Sequence, residues 1–159
     1  MRVMRYLFIC LVSLAAISCG RFKENKKKTT ELFSIKQNGK WGHINKAGAL
    51  VTNPQYYSGT TFYEGLARME VSGKWGYIDP TGKYAVAPQF DDAGDFSEEL
   101  ALVKMWNTWG YGDPNGKYAI NPQYEEAGDF SHDRARVKIG GRWGYIDKVG
   151  EIAINPQFD

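Results

Sequence analysis

Four Trp-Gly pairs, at Trp41, Trp75, Trp109 and Trp143, are each separated by 34 residues with no insertion. Pro-Gln pairs at Pro54, Pro88, Pro122 and Pro156 keep the same interval. The windows beginning at Gly73 and Asn107 share 19 of 34 residues. A strict period of this length means one supersecondary unit copied in tandem, each copy burying its apolar face against its neighbours.

Within a unit, three strand-like runs alternate with two turn signals. In the first run, Ala135, Val137 and Ile139 alternate with Arg134, Arg136 and Lys138, so one face is apolar and the other charged. The register recurs at Ala67, Met69 and Val71 and at Ala101, Val103 and Met105. Asn38-Gly39, Ser72-Gly73 and Gly140-Gly141 follow, residue types that accept positive φ in a two-residue hairpin. Asn107 stands at the third copy without a glycine, which makes that turn the weakest signal. The second run carries Trp-Gly-Tyr, where the glycine permits close backbone approach. A second turn, Asp79-Pro80-Thr81-Gly82, predicts a three-residue hairpin. The third run stops at the Pro-Gln proline, which cannot donate to a ladder. A polar link, Asp91 to Phe96 in one copy, then leads onward.

The expected fold is all-β: four three-stranded antiparallel meanders, about twelve strands, over 31–64, 65–98, 99–132 and 133–159. An open solenoid-like stack is the expected arrangement, with a closed propeller-like ring as the alternative. Trp41, Trp75, Trp109 and Trp143 are expected in the repeat core, since each buried aromatic removes roughly 150–250 Å² from water. Gly112, in place of the repeated Ile, predicts a weakened strand in the third unit, and His43 and Asn45 mark the first as divergent.

Gly-Lys-Trp-Gly-Tyr-Ile-Asp, a following Gly-Lys, Pro-Gln-Phe-Asp and a later Phe resemble the WG-repeat family of bacterial proteins over residues 31–159. The resemblance implies a tandem all-β architecture and carries over no catalytic residue.

The first thirty residues read differently. Arg2 and Arg5 precede a short apolar run, Tyr6 to Ile17, which has the form of a secretory signal over 1–18. Ala16-Ile17-Ser18-Cys19 resembles a bacterial lipobox, with Ala16 where Leu is usual, and makes Cys19 the expected lipidation site. The expected location is therefore the cell envelope, lipid-anchored to a membrane, with plain secretion as the alternative. Residues 19–30 hold five Lys+Arg against one Glu and form a basic tether, whereas 31–159 hold 13 Lys+Arg against 17 Asp+Glu. The repeat region lacks the basic footprint of a nucleic-acid binder. Both cysteines lie before residue 20, so the repeats carry neither a disulfide framework nor a thiolate metal site.

No enzyme constellation is expected. The carboxylates Asp91, Asp92 and Asp95, with Glu125, Glu126 and Asp129, lack the ligand spacing of a calcium loop and recur symmetrically, unlike a glycosidase pair. His43 and His132 occupy different repeat positions and set up no metal site. No cofactor is implied. The expected role is a protein-interaction scaffold, with cell-wall glycan binding as the alternative and glycoside hydrolysis a distant third. Binding is sought where the copies differ: Tyr56, Tyr57 and Tyr63 in the first link, Leu100, Leu102 and Trp106 as an exposed apolar patch, and Arg134 and Arg136 on the basic strand.

Overall fold

The computed structural model describes residues 32–59 and 61–159. The expected signal segment, Cys19 and the basic tether lie outside the described residues.

Every described element is a strand. Sheet one comprises β1 (Leu32–Gln37), β2 (Lys40–Asn45) and β3 (Leu50–Tyr56). Sheet two holds β4 (Ser58–Gly59), β5 (Ala67–Val71), β6 (Lys74–Ile78) and β7 (Tyr84–Phe90). Sheet three holds β8 (Asp92–Ser97), β9 (Leu100–Met105), β10 (Thr108–Gly112) and β11 (Tyr118–Tyr124). Sheet four holds β12 (Glu126–Ala127), β13 (Ala135–Ile139), β14 (Arg142–Ile146) and β15 (Ile152–Phe158). All pairings are antiparallel and join sequence neighbours, and among the described residues no strand of sheet one pairs with sheet four. The array is open.

The links correct the three-strand expectation. Each link forms an extra edge strand, β4, β8 or β12, that pairs with the first strand of the sheet that follows it. Ala93 and Phe96 point from β8 into the core.

The Trp-Gly and Pro-Gln signatures are two halves of one device. Trp75 pairs with Phe90 but Tyr77 pairs with Val86, so two residues of β6 oppose four of β7. The excess bulges over Gly76 at Ala87 and Pro88. A Cβ on Gly76 would lie 2.6 Å from the Val86 carbonyl oxygen and 2.7 Å from the Pro88 nitrogen. Glycine leaves room for the bulge, and proline sits where no ladder donor is required. Gly42, Gly110 and Gly144 meet the same collision in their own sheets.

The turns match the sequence reading. Even Trp106-Asn107 adopts the two-residue left-handed turn, at φ 47° and 70°, without a glycine. The Asp91 carboxylate accepts the Trp106 N–H at 2.8 Å and supports this turn from the adjacent link. At Gly112, β10 keeps the register of its copies against β9, and Val103 of β9 and Phe90 of the preceding sheet lie beside it.

One apolar cluster lies between each pair of consecutive sheets, so the core is built from nearest neighbours. Tyr77, Val86 and Phe90 of sheet two meet Ala93, Phe96, Ala101 and Val103 of sheet three. The buried ring is the Tyr two residues after Trp75 and Trp109: Tyr77 and Tyr111 are almost wholly enclosed. Their hydroxyls donate to the carbonyls of Gly94 (from Tyr77) and Gly128 (from Tyr111), each at 2.7 Å. The expected tryptophan core is corrected accordingly. All four Trp-Gly tryptophans are half-buried; Trp41, Trp75 and Trp109 pack against the clusters from the margin, while Tyr77 and Tyr111 hold the centre with their hydroxyls on link carbonyls. His43 takes the Tyr place in the first interface, bonds the Thr52 hydroxyl at 2.8 Å, and meets Phe62 edge-on as Tyr77 meets Phe96.

Candidate functional site

The sites are built at the ends of the first strands. Glu64-Gly65, Glu98-Glu99 and His132-Asp133 all have positive φ and close tight turns into those strands. Left-handed non-glycine pairs are costly in isolation. Each pair after the first is held by the carboxylate one repeat earlier. Glu64 accepts the N–H groups of Glu98 and Glu99, both at 2.8 Å, and Glu98 accepts those of His132 and Asp133 at 2.6 and 3.0 Å. The Asp133 N–H is the main cause holding the Glu98 carboxyl below its ordinary pKa, and partial desolvation opposes it. Lys148 of sheet four closes the row, 2.9 Å from Asp133 and 3.4 Å from Glu98.

This row of stitched turns borders a groove of about 1460 Å³ that draws its lining from all four sheets. Leu32, Phe33, Phe62, Leu66, Phe96 and Leu100 give it an apolar floor. Glu64, Glu98, Glu99, Asp79 and Asp113 outnumber Lys148 along it. Asp79 and Asp113 also hold their own turns, accepting the N–H groups two and four residues on. The groove is thus apolar within and acidic at its margin. It exceeds the usual 300–1,000 Å³ range of small-ligand pockets.

A second, smaller recess of about 450 Å³ brings Leu102, Arg134 and Arg136 together with Asp129 and Tyr145. Leu102 occupies the place of Arg68, which pairs with Asp95 at 3.2 Å. Asp129, the counterpart of Asp95, therefore has no ion pair among the described residues. Desolvation first, then Asp95, raises its pKa, with Arg68 partly opposing.

The residues singled out from sequence are scattered. Tyr56 is buried between sheets one and two, which corrects its reading as an exposed ring. Tyr57 is exposed, with the Lys40 ammonium 3.2 Å above its ring, and Tyr63 is exposed at the turn before Leu66. The expected Leu100–Trp106 patch does not form. Leu100 and Leu102 pack against the third-to-fourth-sheet cluster, while the exposed Trp106 sits at the opposite end of β9. Period-2 alternation put both leucines on the charged face, but that face turns toward the next sheet. The groove residues Phe62, Phe96, Leu66, Glu64 and Glu98 were missed. Their signal was available as recurrence at 34-residue spacing, but their convergence depends on how the sheets stack.

A cation lies over every Trp-Gly indole: Lys36 over Trp41, Arg68 over Trp75, Lys104 over Trp109, and Arg136 with Lys138 over Trp143, at 5.0–5.7 Å from the ring centres. Among the described residues, no group of three or more His, Cys, Asp or Glu is placed to hold a metal ion.

The family described as WG containing repeat matches residues 41–75, 75–107, 109–143 and 143–159, more than half of the chain. The chain belongs to the WG-repeat family. The first three matched stretches each span the last two strands of one sheet and the first strands of the next, and the fourth covers the last two strands of sheet four. Comparison with curated proteins and with solved structures returned no match.

Proposed function

We propose that this WG-repeat protein is a non-catalytic binding scaffold of the cell envelope, tethered to a membrane through Cys19, whose four-sheet groove takes a polypeptide segment. The observation that carries the reading is the groove itself: an apolar floor with carboxylates in excess along its margin. An extended segment with apolar side chains and basic flanks complements it in both respects. The cations stacked over the four indoles occupy ring faces that a sugar would need, which favours a polypeptide over a glycan.

Site-specific photocrosslinking in the native envelope tests the proposal. A photoreactive side chain at Phe33, half-exposed in the groove, is expected to trap a discrete protein species, and one at Tyr84, exposed outside it, is not. Equal labelling at both positions, or glycan alone at Phe33, contradicts it.

A further inference from the structure

Sheet four repeats the face that sheets two and three use to receive the next unit, yet no described residue covers it. Tyr145, Ile154 and Phe158 are 37, 41 and 49% exposed, whereas their counterparts Tyr111, Ile120 and Tyr124 are at most 4% exposed. The polar groups of the receiving face are also present. In sheet two, Arg68 donates to the Ala93 carbonyl at 2.6 Å and pairs with Asp95 at 3.2 Å. Tyr77 donates to the Gly94 carbonyl and meets the Phe96 ring edge-on at 4.8 Å. Lys74 pairs with Asp91. The equivalents in sheet four are Arg136, Tyr145 and Arg142. Arg136 and Arg142 make no ion pair, and the Tyr145 hydroxyl no hydrogen bond, among the described residues.

From this we infer that the open face of sheet four is a docking surface for an acidic, extended polypeptide segment of the pattern small residue–Gly–Asp–aromatic. The chain writes that pattern twice, as Ala93-Gly94-Asp95-Phe96 and Ala127-Gly128-Asp129-Phe130, each time against such a face. The Asp answers the Arg136 guanidinium, the Gly carbonyl accepts from Tyr145, and the aromatic ring covers the Tyr145 ring. An upstream carboxylate reaches Arg142. Charge selects the occupant: Arg134, Arg136 and Arg142 line or border the face against the nearby Asp129 carboxylate, so a carboxylate-bearing segment fits it. The first strands of a second copy offer the apolar Phe33, Ile35 and Ile44 without the small residue–Gly–Asp–aromatic pattern, and in sequence they follow the net-basic stretch 19–30. This surface is distinct from the groove and stands or falls separately from it.

The test uses the intact chain and a synthetic peptide with the sequence of residues 91–105, followed by the fluorescence of the protein. Saturable binding is expected. It should weaken about tenfold or more with Arg136→Ala, or with Asp95→Asn or Phe96→Ala in the peptide, and be partly kept by Arg136→Lys. Since Arg136 is exposed, its replacement should leave the unfolding transition of the chain in place, which circular dichroism checks. Absence of saturable binding, or binding indifferent to these substitutions, overturns the inference. So does self-association of the chain that the peptide fails to compete, because a second copy would then be the occupant.

Discussion

Tyr111 and Tyr145 hold the same place in the same motif, one in sheet three and one in sheet four, and live in opposite surroundings. Tyr111 is fully buried, with Phe130 edge-on at 4.7 Å and the Gly128 carbonyl on its hydroxyl. Tyr145 is more than a third exposed, with no such ring or carbonyl among the described residues. A WG unit therefore has no fixed inside. Its face becomes core when a link and a sheet cover it and remains a receiving surface when they do not. Burial in this fold is a property of neighbours.

Substitution at the two tyrosines separates them most strongly. Tyr111→Ala should cost about 3–5 kcal/mol, by loss of a buried ring from a packed cluster. Tyr145→Ala should cost less than about 1 kcal/mol. Urea denaturation of the two variants checks the difference, and equal losses would break the comparison. A smaller contrast is expected at the glycines beneath the bulges. Gly110→Ala drives a methyl to within 2.6 Å of the Ile120 carbonyl oxygen, inside a sheet covered on both sides, and should cost about 1–3 kcal/mol. Gly144→Ala makes the same clash with Ile154, but β15 is open on one side and can yield, so its loss in the same assay should be smaller.

The smallest effect is with pH and tests the carboxylates that hold turns within and between units. Asp79 is held below its ordinary pKa first by the Thr81 hydroxyl, and Glu98 first by the Asp133 N–H. At Asp113 desolvation pushes upward, but the hydrogen bonds from the Lys117 and Asn115 N–H groups and the Asn115 side chain together hold it low. A carboxylate whose folded pKa is depressed stabilises fully above its unfolded value, about 4, and loses that contribution as pH falls through the lower folded value. The urea midpoint should hold from neutral pH to about 5 and decline below 4. Glu98→Gln should lower the neutral-pH midpoint slightly and flatten the decline.

Much of this was legible in the sequence because it is local. The turns at Ser72-Gly73 and Asp79 to Gly82, and the alternation of Ala67, Met69 and Val71, depend on residues a few positions apart. The fourth strands were not legible. Ala93 and Phe96 are both buried but stand three apart, because the β8 register shifts between them, and that erases the period-2 signal. The tryptophan was misjudged for a related reason. Trp75 and Tyr77 share one face by alternation, and only the position of the next link decides that Tyr77 lies at its centre. The groove was the least visible feature, since Leu32, Leu66 and Leu100 converge only through the stacking of successive sheets.

Native-state hydrogen exchange tests most directly whether neighbours, rather than the motif itself, make the core. Amides of β11, covered by sheet four, should exchange only near the free energy of global unfolding, while the equivalent amides of β15 should exchange through cheaper local opening. Equal protection of β11 and β15 would contradict the account, because the WG unit would then be stable without a neighbour on its receiving face.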